Sequence, residues 1–416
     1  MKRKIRIFEA FSGIGSQNKS AKWVNEKLNY RSKFKVVATS DWDIGAIIAY
    51  AAIHHQLDIE EIKNLKAKTV DKYLIKHTFS KNSKEPLRNI LKQNDFLKQV
   101  LYQANKKNHN QADIRKISGN FLEKFKIDLF TYSFPCQGLS VANMGRDKGI
   151  NNKNSTSHLI WEVGRILSET DYRPKYLLLE NVQSLVKKYH KEYEQWVNYL
   201  IQLGYKTFTG VFSADDHGSL QTRKRVFAIS VLNNIKTPFK NDEEYIRFVN
   251  RLGQKYKLKT LEKRKEQYLK IYDLKNQNFS ETREVLMNNT PSRIRSVENS
   301  IDLSNLQLAK ERNFRINTLT TKQDRFPNAG YIPLENKNIK KLQYRFITPR
   351  EAYKIMGFDE EDFNRLTPFI KTNVLNKDML WRQAGNSIDT NILKRIFETI
   401  AEIDQINYSN EEEKNE

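Results

Sequence analysis

Residues 5–16 read Ile5-Arg6-Ile7-Phe8-Glu9-Ala10-Phe11-Ser12-Gly13-Ile14-Gly15-Ser16. A short apolar run ends in a turn that carries two glycines. Residues 17–28 follow with helical period, apolar at Ala21, Trp23, Val24 and Leu28. Glycine lets a backbone turn sharply between strand and helix and approach a ligand closely. The turn alone is a weak signal, because Asn18 stands where the third glycine of G-x-G-x-x-G would be. What surrounds it decides the fold.

Residues 34–38 read as a second strand and 44–53 as a second helix, so the chain opens β-α-β-α. Residues 56–110 are lysine-rich without hydrophobic alternation, and the expectation is a helical surface insertion with charged loops. The rhythm then resumes. Strands are expected at 127–132, 176–179, 208–212 and 226–231, with helices near 157–168 and 191–203. Such alternation predicts a parallel sheet covered on both faces. It stops near residue 233. Residues 235–345 are basic and poor in apolar runs, with a charged helix expected at 243–275. A helix with proline in its first turn is expected at 349–356, a final apolar helix at 386–400, and a disordered acidic tail at the C-terminus.

Asp41 ends the second strand, where an acid can accept hydrogen bonds from ribose hydroxyls, and Trp42 follows with a face for an adenine ring. The bland alternatives are a helix-capping acid and a core tryptophan. After a glycine turn the pair favours an adenosine-containing cofactor. NAD and S-adenosylmethionine both fit at this stage.

Cys136 is the only cysteine in 416 residues. It has no partner for a disulfide and no companion for a thiolate metal cluster. It follows an apolar strand, and Pro135 ends the ladder beside it. That leaves a small buried hydrophobe or a nucleophile at the carboxyl end of a sheet strand. Glu180-Asn181-Val182 ends the next apolar strand. Gln221-Thr222-Arg223-Lys224-Arg225 precedes another and sets two guanidiniums at i, i+2 on one side of an extended segment.

The net charge of +23 points to a polyanionic partner, nucleic acid first; a lysine bias from an AT-rich genome is the bland reading. Seven scattered histidines offer no metal-ligand spacing, so no metal is expected. No apolar run reaches membrane-spanning length and no signal-peptide pattern is visible, so the expectation is a soluble cytoplasmic protein.

Taken in order, Phe11–Ser16, Asp41-Trp42, Asp113-Ile114, Pro135-Cys136-Gln137, Glu180-Asn181-Val182, Gln221–Arg225, Thr348-Pro349-Arg350-Glu351 and Gly385-Asn386-Ser387 resemble the blocks of DNA (cytosine-5) methyltransferases of the bacterial restriction–modification type. The catalytic half is most similar to the mollicute-type enzymes, through Phe8-Glu9-Ala10-Phe11 and Thr131-Tyr132-Ser133-Phe134. Departures are small: Ser12 and Ser16 stand where Ala and Gly are common, and Ala112 where Gly often precedes the acid.

The resemblance implies an α/β fold, the Rossmann-like doubly wound sheet of class I S-adenosylmethionine-dependent methyltransferases. A catalytic domain over 1–232 and 346–405 would carry a target-recognition domain inserted at 233–345, with 406–416 as the acidic tail. It implies that Cys136 attacks C6 of a flipped-out cytosine, that Glu180 holds N3 and the exocyclic amine, that Arg225 holds O2, and that Arg223 supports the base or its phosphate. S-adenosylmethionine would be held by Phe11, Gly13, Ile14, Gly15, Asp41, Trp42, Asp113, Ile114, Pro135, Asn386 and Ser387. Gln137, Ser140 and Gln221, with Arg293, Arg295, Gln323 and Arg325 in the inserted segment, are the expected DNA contacts. Residues 140–154 would form a lid, and Thr318-Leu319 resembles the element that anchors recognition loops. The implied partner is double-stranded DNA, with a monomeric enzyme and a cognate restriction endonuclease as a genetic partner. CpG, GATC and other short palindromes all fit as targets. Rival readings are a tRNA cytosine-5 methyltransferase, whose second cysteine this chain lacks, a catalytically silent DNA-binding regulator, and an NAD dehydrogenase, which leaves Cys136 and Glu180 unexplained.

Overall fold

The computed structural model describes residues 3–139, 149–274, 281, 285–298, 300–321, 323, 327–334 and 340–412, with side chains described to 408. It forms two compact units. The first is built from described residues within 1–212, 224–252 and 393–416, the second from those within 213–223 and 253–392.

The first unit opens as the sequence predicts: β1 (Lys4–Ala10), α1 (Ser16–Lys27), β2 (Lys33–Ser40) and α2 (Ile44–His55). With β3 (Leu129–Tyr132), β4 (Tyr176–Val182), β5 (Tyr205–Ser213) and β6 (Lys224–Leu232) they give a six-stranded sheet in the order β2-β1-β3-β4-β6-β5. β2, β1, β3 and β4 run parallel. β6 runs antiparallel to β4, with Glu180 opposite Phe227 and Val182 opposite Arg225. The expected all-parallel sheet is therefore corrected to a mixed one. Hydrophobic runs report burial on two faces; they do not report direction.

One face of the sheet packs Phe8, Phe130, Leu177 and Leu179 against Val163, Ile166, Trp196 and Leu200 from the helices Ile160–Ser168 and His190–Gln202. At the β2 edge, Phe34 meets Phe397 of the C-terminal helix edge-on at 5.1 Å, and Ser32 donates to Asp404 at 2.6 Å. That helix is Thr390–Glu412, so it starts four residues later than expected and runs through most of the segment read as a tail. The lysine-rich 56–110 is not merely a surface insertion. Its helix Asp95–Lys107 buries Val100, Leu101 and Ala104 and packs on α2.

The second unit carries an antiparallel sheet of β7 (Leu286–Asn288), β8 (Tyr331–Pro333) and β9 (Lys341–Phe346), ordered β7-β9-β8. The Thr348-Pro349-Arg350-Glu351 block opens the helix Pro349–Ile355 with a capping box. Glu351 also takes a bidentate, buried ion pair from Arg345 of β9, at 2.8 and 2.9 Å. This pair locks the helix to its own sheet, so residues 346–392 belong with the second unit. The domain limits that the resemblance implies, 232/233 and 345/346, differ from the limits of the compact units, which lie at 252/253 and 392/393 with 213–223 also in the second unit. The expected single helix at 243–275 is two, Asp242–Gly253 and Leu261–Ile271. A Cβ on Gly253 would lie 2.3 Å from the His217 ring.

Candidate active site

The glycine turn is held by backbone and by one acid. The Phe11 and Ser12 N–H groups both donate to the Ser40 carbonyl, and Gly15 N–H to that of Ser12. The Gly13 N–H donates to Asp41 Oδ2 at 2.8 Å. Phe11, Gly13 and Gly15 all have positive φ. A Cβ on Gly15 would lie 2.3 Å from His54 and 2.7 Å from Tyr50, so the turn rests directly on α2. A Cβ on Gly13 would meet nothing within 4 Å, leaving open space above the turn. Beneath it Glu9 is wholly buried and accepts from the Tyr50 hydroxyl at 3.0 Å, which in turn accepts from Asn18 at 2.8 Å. Burial pushes the Glu9 carboxyl up to about 8.

Asp41 Oδ1 accepts from the Asp43 N–H at 2.9 Å. Burial, then the neighbouring Asp43, raises its carboxyl to about 6. Sequence reasoning missed what fixes this residue. Asn110 accepts from the Asp41 N–H and donates to its carbonyl, both at 2.9 Å, and Asn105 takes the other amide hydrogen of Asn110 at 2.7 Å. No periodicity marks an asparagine that imitates a neighbouring strand. Trp42 is half-buried and so is not core packing alone. The Arg115 guanidinium lies 5.5 Å from its ring centre and forks onto Asp113 at 2.7 and 2.9 Å. Ala112 holds φ +56, which explains the preference for glycine before this acid. Ile14 and Ile114 are buried, and their carbonyls meet His54 and the Ile117 N–H.

Cys136 is half-buried just past the end of β3. Its loop is stapled on both sides by Ser157, whose hydroxyl donates to the Pro135 carbonyl at 2.6 Å and accepts from the Gly138 N–H at 3.1 Å. Asn181 donates to the Phe134 carbonyl at 2.9 Å and so ties the end of β4 to this loop. Gln137 is exposed. Glu180 lies two residues before the end of β4, and its Oε1 lies 3.4 Å from Arg225 Nε, with both side chains largely buried. The antiparallel direction of β6 makes this pair. It sets the start of β6 beside the end of β4, whereas a parallel β6 would carry Arg225 to the far end of the sheet.

Three expected site residues are placed otherwise. Arg223 is buried and donates to the carbonyls of Leu319, Gly385 and Ser387, each at 2.9 Å. It belongs to the second unit as a staple and presents nothing to a base or phosphate. Gln221 is buried, accepting from Leu319 N–H and donating to Met356 sulfur. Gln323 is buried against Thr320. These polar side chains read their own backbone rather than DNA. Thr318 donates to the Thr222 carbonyl at 2.9 Å, so Thr318-Leu319 is an anchored element. Arg293 and Arg295 lie on the helix Pro291–Glu298, Arg295 exposed and Arg293 half-buried. Asn386 is exposed at the end of the helix Lys377–Asn386 and Ser387 is buried; both are in the second unit. Ser140, Arg325 and residues 140–148 of the expected lid lie outside the described residues.

The family model for C-5 cytosine-specific DNA methylases matches residues 75–402. The chain belongs to this family. The orphan methyltransferase M.SssI of Spiroplasma monobiae is 39% identical over 251 residues, a match that covers 58% of this chain and 63% of that protein. The type II methyltransferase M2.ScrFI of Lactococcus lactis subsp. cremoris is 31% identical over 404 residues, covering 95% and 99%. Among solved structures the chain is similar in fold to the Dnmt2 methyltransferase of S. pombe, with a TM-score of 0.58 at 17% identity over 94% of this chain and 96% of that one. It is similar also to the methyltransferase EhMeth of Entamoeba histolytica, with a TM-score of 0.55 at 18% identity over 96% and 98%. The expected class I methyltransferase fold and the likeness to mollicute enzymes are thus borne out, and the family makes the chain a DNA cytosine-5 methyltransferase. Among the described residues no helix is long and apolar enough to cross a membrane, and no group of three or more His, Cys, Asp or Glu could hold a metal ion.

Proposed function

We propose that this DNA cytosine-5 methylase acts through a covalent bond between Cys136 and a cytosine flipped out of a short duplex sequence. The observation that carries the proposal is the set of residues at one rim of the sheet. Cys136 lies past β3, Glu180 lies near the end of β4, and antiparallel β6 brings Arg225 to Glu180. Duplex stacking hides C6 from any nucleophile, so the target base must leave the helix.

Cytosine is electron-poor at C6, and the Cys136 thiolate adds there. The ring electron pair moves toward N3 and O2. Glu180, protonated or sharing a proton, bonds N3, and Arg225 donates to O2, so charge is met where it develops. C5 becomes nucleophilic and accepts the methyl group. Loss of the C5 proton to water re-forms the double bond, expels Cys136 as the thiolate, and returns the N3 proton to Glu180. Arg223 holds Leu319 to Gly385 and Ser387 and takes no part at the base.

The residues present fit S-adenosylmethionine. The space above Gly13, the half-exposed face of Trp42 and the Asp41 carboxylate suit an adenosine; both Asp113 oxygens already accept from Arg115, and its part in holding the adenine amine comes from the resemblance. When bound, that cofactor would supply an electrophilic methyl group on sulfur and leave as S-adenosylhomocysteine, the broken bond's electron pair staying on sulfur. Phe11, Gly13, Ile14, Gly15, Asp41, Trp42, Asp113, Ile114, Pro135, Asn386 and Ser387 would hold it. The second unit would recognise the target, with Arg293, Arg295 and Arg325 as base-reading candidates. Gln137, Ser140 and the lid would close on the DNA. The reading carries with it a metal-free monomer acting on DNA in a bacterial cytoplasm, in host marking or beside a restriction endonuclease.

The test is trapping. Incubation with S-adenosylmethionine and duplex DNA containing 5-fluorocytosine should give an adduct that survives denaturation, because fluorine at C5 blocks loss of the proton. Cys136→Ser should give none, yet should still bind DNA. An adduct or turnover in that variant would sink the covalent reading. Bisulfite sequencing of the methylated product would give the target.

A further inference from the structure

From the surface of the first unit we infer that residues 66–92 form a second phosphate-binding face, which holds duplex DNA flanking the target cytosine. The inference rests on the DNA-directed reading above. This stretch has eight Lys or Arg and two acids. Asp71 is taken by Lys98 at 2.8 Å, and Glu85 accepts from Asn82 at 3.1 Å. Lys68, Lys72, Lys76, Lys84, Arg88 and Lys92 are exposed, and among the described residues none of the six is in an ion pair.

A genome-wide lysine bias would interleave these cations with acids, and elsewhere in the chain it does. Near the two helices between 242 and 271, Arg247 pairs with Glu243, Lys257 with Asp216 and Lys270 with Glu266. The row at 68–76 is built differently. The helix Ala67–Leu74 buries Val70 and Leu74 and turns Lys68 and Lys72 outward one turn apart. Lys76 continues the row, its N–H bonded to the Tyr73 carbonyl. Lys68 and Lys72 are then about 6 Å apart along the axis, and Lys76 follows in the turn that closes the helix. Like charges at i, i+4 weaken a helix, so the arrangement works against its own stability unless an anion lies along it. A polyanion with regularly spaced charge is such a partner.

The stretch is also fixed at the correct end of the sheet. Ser80 pairs with Asp43 as an isolated bridge, donates its N–H to the Trp42 carbonyl at 2.7 Å, and accepts from Ile44 at 2.9 Å. The Ser83 hydroxyl donates to Asp43. This anchors Lys84 and Arg88 beyond the carboxyl end of β2. Cys136 follows the carboxyl end of β3, two strand spacings or about 10 Å along the same rim. A duplex that presents a base to Cys136 extends past this rim in both directions.

The experiment measures equilibrium binding of random-sequence DNA duplexes of about 14 and 40 base pairs between 50 and 200 mM salt. It compares the wild type with the triple variant Lys68→Gln, Lys72→Gln, Lys76→Gln. Each lost phosphate contact should lower the slope of log K against log salt by about 0.9, so the variant should lose about 2–3 from the slope on the long duplex. At low salt its affinity for that duplex should fall tenfold or more, with little change on the short one. Equal slopes for the two proteins, or an equal loss on both lengths, would overturn the proposal. So would a 40-base-pair RNA duplex that binds more tightly than DNA and shows the same lysine dependence. Single-turnover methyl incorporation at saturating enzyme is followed in parallel. If both proteins methylate and the slopes agree, this face is wrong; if neither methylates, the functional reading is wrong, and the slopes still judge the face.

Discussion

Replacing Glu9 by Gln should make the protein more stable in alkali than its parent. Glu9 is wholly buried beneath the glycine turn, and its carboxyl is raised from the ordinary 4.5 to about 8. Burial disfavours the anion, and the nearby Asp41 adds to this; the Tyr50 hydroxyl offsets part of it. Between those two pH values the folded chain holds a proton on Glu9 that the unfolded chain releases. Stability therefore falls as pH rises through the window and levels off above about 8. Each pH unit is worth about 1.4 kcal/mol, so the whole window is worth at most about 5 kcal/mol. Relaxation around an ionised carboxyl reduces this, and about 2–5 kcal/mol is the expected range. Gln has the shape of the protonated acid and keeps an acceptor for Tyr50. The assay is urea unfolding of both proteins at pH 5, 7 and 8.5. The two should lie within about 1 kcal/mol at pH 5 and separate progressively in favour of the variant. Asp41, His54 and His55 titrate in both proteins, so the difference between the curves isolates Glu9. Parallel curves would refute the buried proton.

Asn110→Ala should raise the dissociation constant for S-adenosylmethionine by tenfold or more, since two hydrogen bonds that fix Asp41 are lost at about 1 kcal/mol each; DNA affinity should be unchanged, and an equal loss in both would mark a general fold defect. Trp42→Ala should weaken cofactor binding by about tenfold through a lost stacking face, measured by calorimetry, and an unchanged affinity would reduce Trp42 to packing. Gly15→Ala should destabilise by about 3 kcal/mol or more, because φ is +81 and the new methyl would lie within 2.7 Å of His54 and Tyr50; a wild-type melting temperature would contradict this.

What the sequence disclosed depended on whether a residue's surroundings leave a pattern. β1, the glycine turn and Asp41-Trp42 were legible because strand, turn and helix each have a local period. Cys136 stood out because it is alone. The direction of β6 left no mark, since a run such as Val226-Phe227-Ala228-Ile229 is apolar either way, yet that direction unites Glu180 with Arg225. Arg223, Gln221 and Gln323 looked like DNA contacts because a guanidinium or amide has one identity whether it meets a base or a carbonyl of its own chain. Their burial tells the two apart, and burial of a single polar residue cannot be read locally. The limits of the compact units differ from the expected domain limits because Arg345–Glu351 ties residues on either side of 345/346 together, and an ion pair leaves no local mark in the sequence.

The bond from Ser32 to Asp404 joins residues 372 apart. A ribosome adding roughly 5–20 residues per second needs on the order of 20–75 s to traverse that interval. Throughout it the β2 edge is finished as backbone, while Phe34 waits for Phe397. The first unit is thus the earliest to begin and among the last to close. A nascent chain carries an uncovered apolar edge for most of its synthesis, and a stop codon gained near residue 390 would leave that edge unsealed.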